Sequence, residues 1–311
     1  MSSLRQLKTK IRAGENISQI TRAMELVAAT KMRKAQERAL QGRPYAMHAL
    51  SLLSRIVRST ETGEQLGSLW HKRTKGKMCL VVVTSDKGLC GSFNSAILKT
   101  ASKYLQDTIG PTEQVEVVAV GKKTRDFFKK REIRVAAEFL KFSDVLTLSD
   151  AEPLFQWILR EYRKGTYKQV TFCSTVFVSA LFQRPLIHAL LPLQAQELAQ
   201  IVENIVPRRG KYAELHTEPV SGTLSTYVLE PSTHAILEEL AEDLVEVAVL
   251  HLLLESNASE HSARMLAMKN ASDNASELID TLTLQLNKAR QAAITQELTE
   301  IATAKEALTY E

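Results

Sequence analysis

Along the last third of the chain, Leu244, Val247, His251, Leu254, Ala258, His261, Met265, Met268, Ser272, Ala275, Ile279, Leu282, Leu286, Ala289, Ala293 and Gln296 recur at alternating steps of three and four. A heptad seam held this long predicts one coiled-coil helix. Pro231-Ser232-Thr233 supplies its start, and from Ser232 to Glu311 there is neither Gly nor Pro to end it. Ala, Ser, His and Gln dilute the seam, so it predicts close helix approach with little buried area. The first segment repeats the pattern with Leu4, Leu7, Ile11, Gly14, Ile17, Ile20, Met24 and Val27. Its consecutive steps of three between Ile11 and Ile20 read as a stammer, a local overwinding. The pattern continues through Ala28, Ala35 and Ala39 to a possible irregularity at Pro44, and then through Leu50, Leu53 and Val57.

Between these helices the period changes. Lys77–Thr84 is a continuous β-branched run followed by a helix-compatible stretch from Ser92 to Gln106. Next come a strand at Val115–Val120, a short helix at Lys122–Lys130, a strand around Ile133–Ala137, a helix from about Asp150 to Lys164, and a strand from Lys168 into Val178. Strand alternating with helix predicts an open, Rossmann-like α/β sheet with helices on its faces. Residues 206–222 read as a polar connection, and Thr226–Leu229 as a returning edge strand. The expected organisation is an N-terminal coiled-coil helix over 1–60, an α/β domain over 70–230 and a C-terminal coiled-coil helix over 231–311.

Lengths add a consequence. At 1.5 Å per residue the first helix spans roughly 80 Å and the last roughly 115 Å. Rooted in one middle domain, the two pair antiparallel, and the longer overhangs by roughly 30 Å. Residues from about Lys288 onward then lack an intramolecular partner, yet they include Ile294, Leu298, Ile301 and Leu308. Such side chains on a lone helix call for another protein to cover them.

Charge sharpens this picture. The chain has 311 residues and a net charge of +5. Residues 1–58 hold twelve basic and three acidic side chains, and residues 232–311 hold five basic and fourteen acidic. Opposite ends of opposite sign point to mutual pairing or to charged partners. The basic run TKMRKAQER (Thr30–Arg38) has no interleaved aromatics, which favours an acidic protein surface over nucleic acid. No apolar run reaches the ~20 residues of a membrane helix. The basic N-terminus is read as mature structure rather than a presequence, because its helical pattern runs on past Met24. Cys79, Cys90 and Cys173 fit no zinc or redox spacing and read as small buried thiols of a reducing compartment.

Chemistry is scarce. The turn TSDKGLCGSFN (Thr84–Asn94) places Gly88 and Gly91 before a helix, where either a bound phosphate or a tight strand-to-helix turn accounts for them. Its spacing is that of neither a dinucleotide fingerprint nor a P-loop. His251 and His261 are ten apart and fall on the seam, not at the i, i+4 spacing of a helical metal site. No catalytic, cofactor or metal site is expected. Two other readings are a nucleotide-binding α/β enzyme with an oligomerisation stalk and a nucleic-acid-binding coiled coil.

The stretches ITRAMELVAATKMRKAQ (Ile20–Gln36), RPYA (Arg43–Ala46), TSDKGLCGSFN, ASEHSARMLAMKNASDNASELI (Ala258–Ile279) and NKARQAAITQELTEI (Asn287–Ile301) resemble the γ subunits of F-type ATP synthases, over essentially the whole chain. The resemblance implies a central rotor shaft, one copy per complex. Its coiled coil would enter the cavity of a hexamer of α and β subunits, and its α/β domain would sit beside ε on the c-ring. Proton-driven rotation would then drive the β catalytic sites through their conformations. It also implies no cofactor, no nucleic acid, and a place at the cytoplasmic face of a bacterial inner membrane.

By resemblance, Arg290 and Gln291 match a pair that bonds a loop of β, with Thr295 and Glu297 a turn further on. Met24 matches a position near the β lever, Lys31, Arg33 and Lys34 its basic patch, and Lys87 a loop of the α/β domain. Tyr227 lies in TYVLEP, a segment resembling the foot that faces the c-ring. No close cysteine pair is present, so the redox control of the chloroplast branch is not expected.

Overall fold

The computed structural model describes residues 4–59, 68–108, 114–143, 146–194 and 232–309. Helix α1 is Leu4–Ser59 and runs through Pro44. The α/β elements are β1 (Lys77–Val83), α2 (Phe93–Thr108), β2 (Val115–Val120), α3 (Lys122–Lys129), β3 (Val135–Phe139), α4 (Leu148–Arg163), β4 (Tyr167–Ser179) and β5 (Phe182–Leu191). The last helix, α5, is Thr233–Thr309, 77 residues, and the Ser232 hydroxyl caps it by accepting the Ala235 N–H at 3.2 Å. The expected edge strand at Thr226–Leu229, the connection 206–222 and Tyr227 lie outside the described residues.

Packing divides the chain into two units, Met1–Val27 with Met265–Glu311, and Ala28–Arg264. In the second, five strands form one sheet in the order β3-β2-β1-β4-β5, the first four parallel and β5 antiparallel to β4. The order of the parallel strands is that of a Rossmann-like half, as the strand–helix alternation predicts. β1 alternates between two cores. Cys79, Val81 and Val83 face one formed with α4 and with Leu237–Leu254 of α5, and Leu80 and Val82 face one formed with α2 and α3. Burial on both faces is what makes β1 read as an unbroken apolar run.

Two strands differ from expectation. β3 starts at Val135, not near Ile133, because the chain reverses through Arg131, whose N–H donates to the Phe128 carbonyl, and Glu132 at φ 57°. The strand expected from Lys168 into Val178 is present as β4, and the chain then turns at Ala180–Leu181 into β5, which the pattern does not predict. Among the described residues β5 is an edge strand, and it accommodates Pro185 because one side needs no ladder bond.

In the first unit, α1 and α5 pair antiparallel. Gly14 lies against Ile279 and the Ser18 hydroxyl is 3.4 Å from that of Ser272. The buried face of α1 runs Leu7, Ile11, Gly14, Ser18, Thr21, Glu25, a regular heptad, and Ile17 and Ile20 stand 53% and 59% exposed. The expected stammer is therefore absent. Small side chains take the seam because they let the backbones approach, and a Cβ on Gly14 would come within 3.0 Å of Ile279 Cγ1. On α5 the seam is as expected: Met268, Ser272, Ala275 and Leu282 are buried, and Ile279 and Leu286 half-buried.

Candidate functional site

Continuing the register of Gly14 with Ile279 and Ser18 with Ser272 places Leu4 opposite the turn near 286–289 of α5. Beyond it no described residue of α1 faces α5, so the overhang expected from helix lengths is present within this unit. Its apolar residues are not a continuation of the seam. At about 100° per residue, Ile294, Leu298 and Ile301 form a stripe turned well away from Leu286, Ala289 and Ala293. Leu298 and Ile301 are 62% and 66% exposed.

The four expected contact residues of this stretch border that stripe. Arg290 and Glu297 fall on one edge and Gln291 and Thr295 on the other, all within an arc of about 160°. All four are exposed. The Thr295 hydroxyl donates to the Gln291 carbonyl at 3.0 Å, which commits its proton to the helix. A partner meeting this face would find a greasy centre flanked by a guanidinium, a carboxylate and an amide, the anatomy of an interaction surface. Met24, in the same unit, is half-buried on α1.

The remaining expected residues lie in the second unit. Lys31, Arg33 and Lys34 occupy one turn of α1, just before the point where Ala35 packs with Met32, Phe177 and Ala258. Arg33 and Lys34 are exposed, and Lys31 is half-buried and engaged. Lys87 is exposed in the β1–α2 turn. That turn is closed by its own side chains. The Ser85 N–H donates to Asn94 Oδ1 at 3.0 Å, the Asn94 amide returns a bond to Ser85 Oγ at 2.8 Å, and Ser85 Oγ donates to the Lys87 carbonyl at 2.5 Å. Gly91, at φ 54°, is accounted for by a tight strand-to-helix turn, whereas Gly88 has no positive φ and open space where a Cβ would stand.

Three features escaped the sequence pattern. The Asp86 carboxylate accepts the Lys122 N–H at 3.0 Å and the Lys141 N–H at 2.8 Å, tying together the loops after β1, β2 and β3. Ser259 and Ser262 of α5 donate to the carbonyls of Thr175 and Ala180 at 3.4 and 2.6 Å, so hydroxyls fix the helix to the β4–β5 hairpin. His251 lies 3.4 Å from Glu255, and both are buried. Burial raises the Glu255 carboxyl against the opposing pull of His251, and burial followed by the charge of His251 lowers His188. His251 was visible on the seam, Ser259 and Ser262 lie off it, and what any of them bonds to was not legible.

The ATP synthase family model matches residues 3–308. The chain belongs to the ATP synthase gamma family. It is 36% identical over 301 residues to the ATP synthase gamma chain of Pelotomaculum thermopropionicum, covering 97% of each. It is 38% identical over 309 residues to that of Roseiflexus sp., covering 99% of each. Among solved structures, it resembles a chain of the Tetrahymena thermophila mitochondrial ATP synthase central stalk and c-ring, at 25% identity and a TM-score of 0.55 over 81% of this chain and 99% of that one. A chain of the Euglena gracilis mitochondrial ATP synthase (OSCP, F1 and c-ring) shares its fold at a TM-score of 0.62 and 18% identity, over 98% and 94%. Gamma-family membership makes this chain a central-stalk, rotor subunit of an ATP synthase. No described helix of this chain is long and apolar enough to cross a membrane.

Proposed function

We propose that this gamma chain transmits rotation through the exposed end of α5, seated in the cavity of a hexamer of α and β subunits. The observation that supports this most is the Ile294–Leu298–Ile301 stripe, apolar and exposed on a stretch with no described α1 residue opposite it. In the hexamer these side chains would lose water contact against an apolar collar. Arg290 and Gln291, with Thr295 and Glu297 behind them, would bond a loop of β. A bidentate guanidinium–carboxylate bond holds a stalk in register yet breaks at each step. Met24, Lys31, Arg33 and Lys34 would meet the acidic lever of β, Lys87 would contact the hexamer from its loop of the α/β domain, and Tyr227 would meet the c-ring or ε.

The chain would then act as three segments, coiled-coil helix 1–60, α/β domain 70–230 and coiled-coil helix 231–311, with no catalytic centre or cofactor of its own. It would stand as one copy per complex, beside ε, on the cytoplasmic face of a bacterial inner membrane, without nucleic acid.

Reconstitution with α and β subunits tests the reading. Arg290→Ala is expected to lower coupling or assembly and to leave the melting temperature of the chain within about 2 °C of wild type, as an exposed substitution should. Full ATPase coupling by a chain ending at 289 would contradict the proposal.

A further inference from the structure

At the carboxyl ends of β1 and β2 the second unit holds a cleft of ≈390 Å³, of whose lining the proposed function above uses Lys87 alone. Open α/β sheets bind ligands at this edge, where loops diverge. Three lysines from three different loops reach it: Lys87 after β1, Lys122 after β2 and Lys141 after β3. Lys87 and Lys141 are exposed and Lys122 half-buried. Asn257, Glu260 and His261, one turn of α5, form the opposite wall, with His261 buried.

The charge balance of the cleft decides what it would take. Among the described lining residues there are two carboxylates, each with partners, although those of Asp86 are neutral amides that leave its charge in place. Asp86 accepts the backbone N–H groups of Lys122 and Lys141, and Glu260 accepts Arg264 Nη2 at 2.7 Å. Asp86 also fills the amino end of α3, so the positive character left over belongs to the lysine side chains. The floor is rigid: Gly121, at φ 92°, packs so closely that a Cβ there would sit 2.2 Å from the Thr84 carbonyl oxygen. The Thr84 hydroxyl meets that of Thr124 at 2.9 Å beneath it.

From this arrangement we propose that the cleft binds a small polyphosphate anion, of pyrophosphate to nucleoside-diphosphate size, among the Lys87, Lys122 and Lys141 ammonium groups. Walls from three loops and a helix turn admit a compact ligand rather than a passing polypeptide. Three lysines against the one uncompensated carboxylate of Asp86 leave the described lining net positive, which suits a ligand with more than one negative charge. The site does not depend on how the stalk end of α5 engages its partners.

Calorimetric titration of the full chain with pyrophosphate, ADP and adenosine tests it, in wild type, in Lys122→Gln/Lys141→Gln and in Lys164→Gln. Lys164 is paired with Glu161 at the opposite edge of the sheet. Saturable binding of pyrophosphate and ADP at one site is expected, with none of adenosine. The double variant should bind about tenfold more weakly and Lys164→Gln as wild type does, with affinity falling as salt rises. In parallel, pyrophosphate should protect Lys122 and Lys141 of the wild-type chain from acetylation read by mass spectrometry, a measurement independent of any variant's folding. Absence of saturable binding, equal loss in Lys164→Gln, failure to protect the two lysines, or displacement of pyrophosphate by a poly-glutamate peptide of higher affinity would overturn the proposal.

Discussion

Glu116 shows how single residues hold the α/β unit together. Burial alone would raise its carboxyl, but hydrogen bonds from Lys77 at 2.7 Å and Tyr167 at 2.9 Å, with the charges of Lys77 and Arg134, outweigh that and hold it below the usual range. A carboxyl lowered by folding adds stability above its unfolded pKa and loses it as pH falls through the folded one. Glu116→Gln is therefore expected to cost about 1–3 kcal/mol at pH 7, measured by urea unfolding. The gap to wild type should shrink once pH drops below about 4. A gap that stays constant to pH 2 would mean that packing, not charge, is what Gln disturbs. Gly121→Ala is a sharper case. A positive φ and a carbonyl oxygen 2.2 Å from the new Cβ leave the backbone no choice but to move. About 3 kcal/mol or more is expected to be lost in the same measurement. The three thiols are buried and free, and burial raises Cys173 to about 12, so they are expected to be inert to maleimide in the folded chain.

At the scale of elements, the α1–α5 pair exchanges cohesion for closeness. Gly14 opposes Ile279, and Ala at this position meets two opposed effects. Helix propensity favours it by about 1 kcal/mol, while the 3.0 Å approach asks Ile279 to shift a few tenths of an ångström. Ile279 is half-buried and free to give, so Gly14→Ala is expected to be neutral or slightly stabilising. Gly14→Leu cannot be absorbed this way and is expected to lower the melting transition of the pair, followed by circular dichroism. The same contact explains what the sequence left hidden. α5 was legible because Met268, Leu282 and Leu286 mark its seam with large side chains. α1 was misread in register because Ile17 and Ile20 are the larger residues, and yet they face outward while Gly14, Ser18 and Thr21 face the partner. An isolated apolar pattern does not say which of two faces meets its own chain and which meets another protein. In the sheet, β1 and β2 were plain because both faces are buried. β5 was not, because an edge strand carrying Pro185 and exposed Phe182 and Arg184 lacks both alternation and a continuous apolar run. The site residues divide likewise. The overhang near Arg290 followed from helix length, whereas the Asp86 tie between three loops follows only from the fold.

Across the whole molecule, the function proposed above would draw on both the segregation of charge and the exposed apolar residues. Ile17, Ile20, Val27, Ile294, Leu298 and Ile301 are all exposed in the first unit, in a chain whose second unit already has two well-filled cores. A gamma chain working inside a hexamer would cover those side chains with its neighbours and leave its α/β unit to pass rotation from the c-ring. Shortening α5 to residue 293 should therefore weaken coupling more than it weakens hydrolysis, since a stub still occupies the hexamer. The most direct measurement is rotation itself. Because Cys79, Cys90 and Cys173 are buried, a single Lys103→Cys on the solvent face of α2 accepts a probe selectively. With the hexamer of α and β subunits fixed to a surface and ATP supplied, the probe is expected to turn in one direction at a rate tied to hydrolysis. Sustained hydrolysis with a stationary or randomly fluctuating probe would contradict the rotor mechanism.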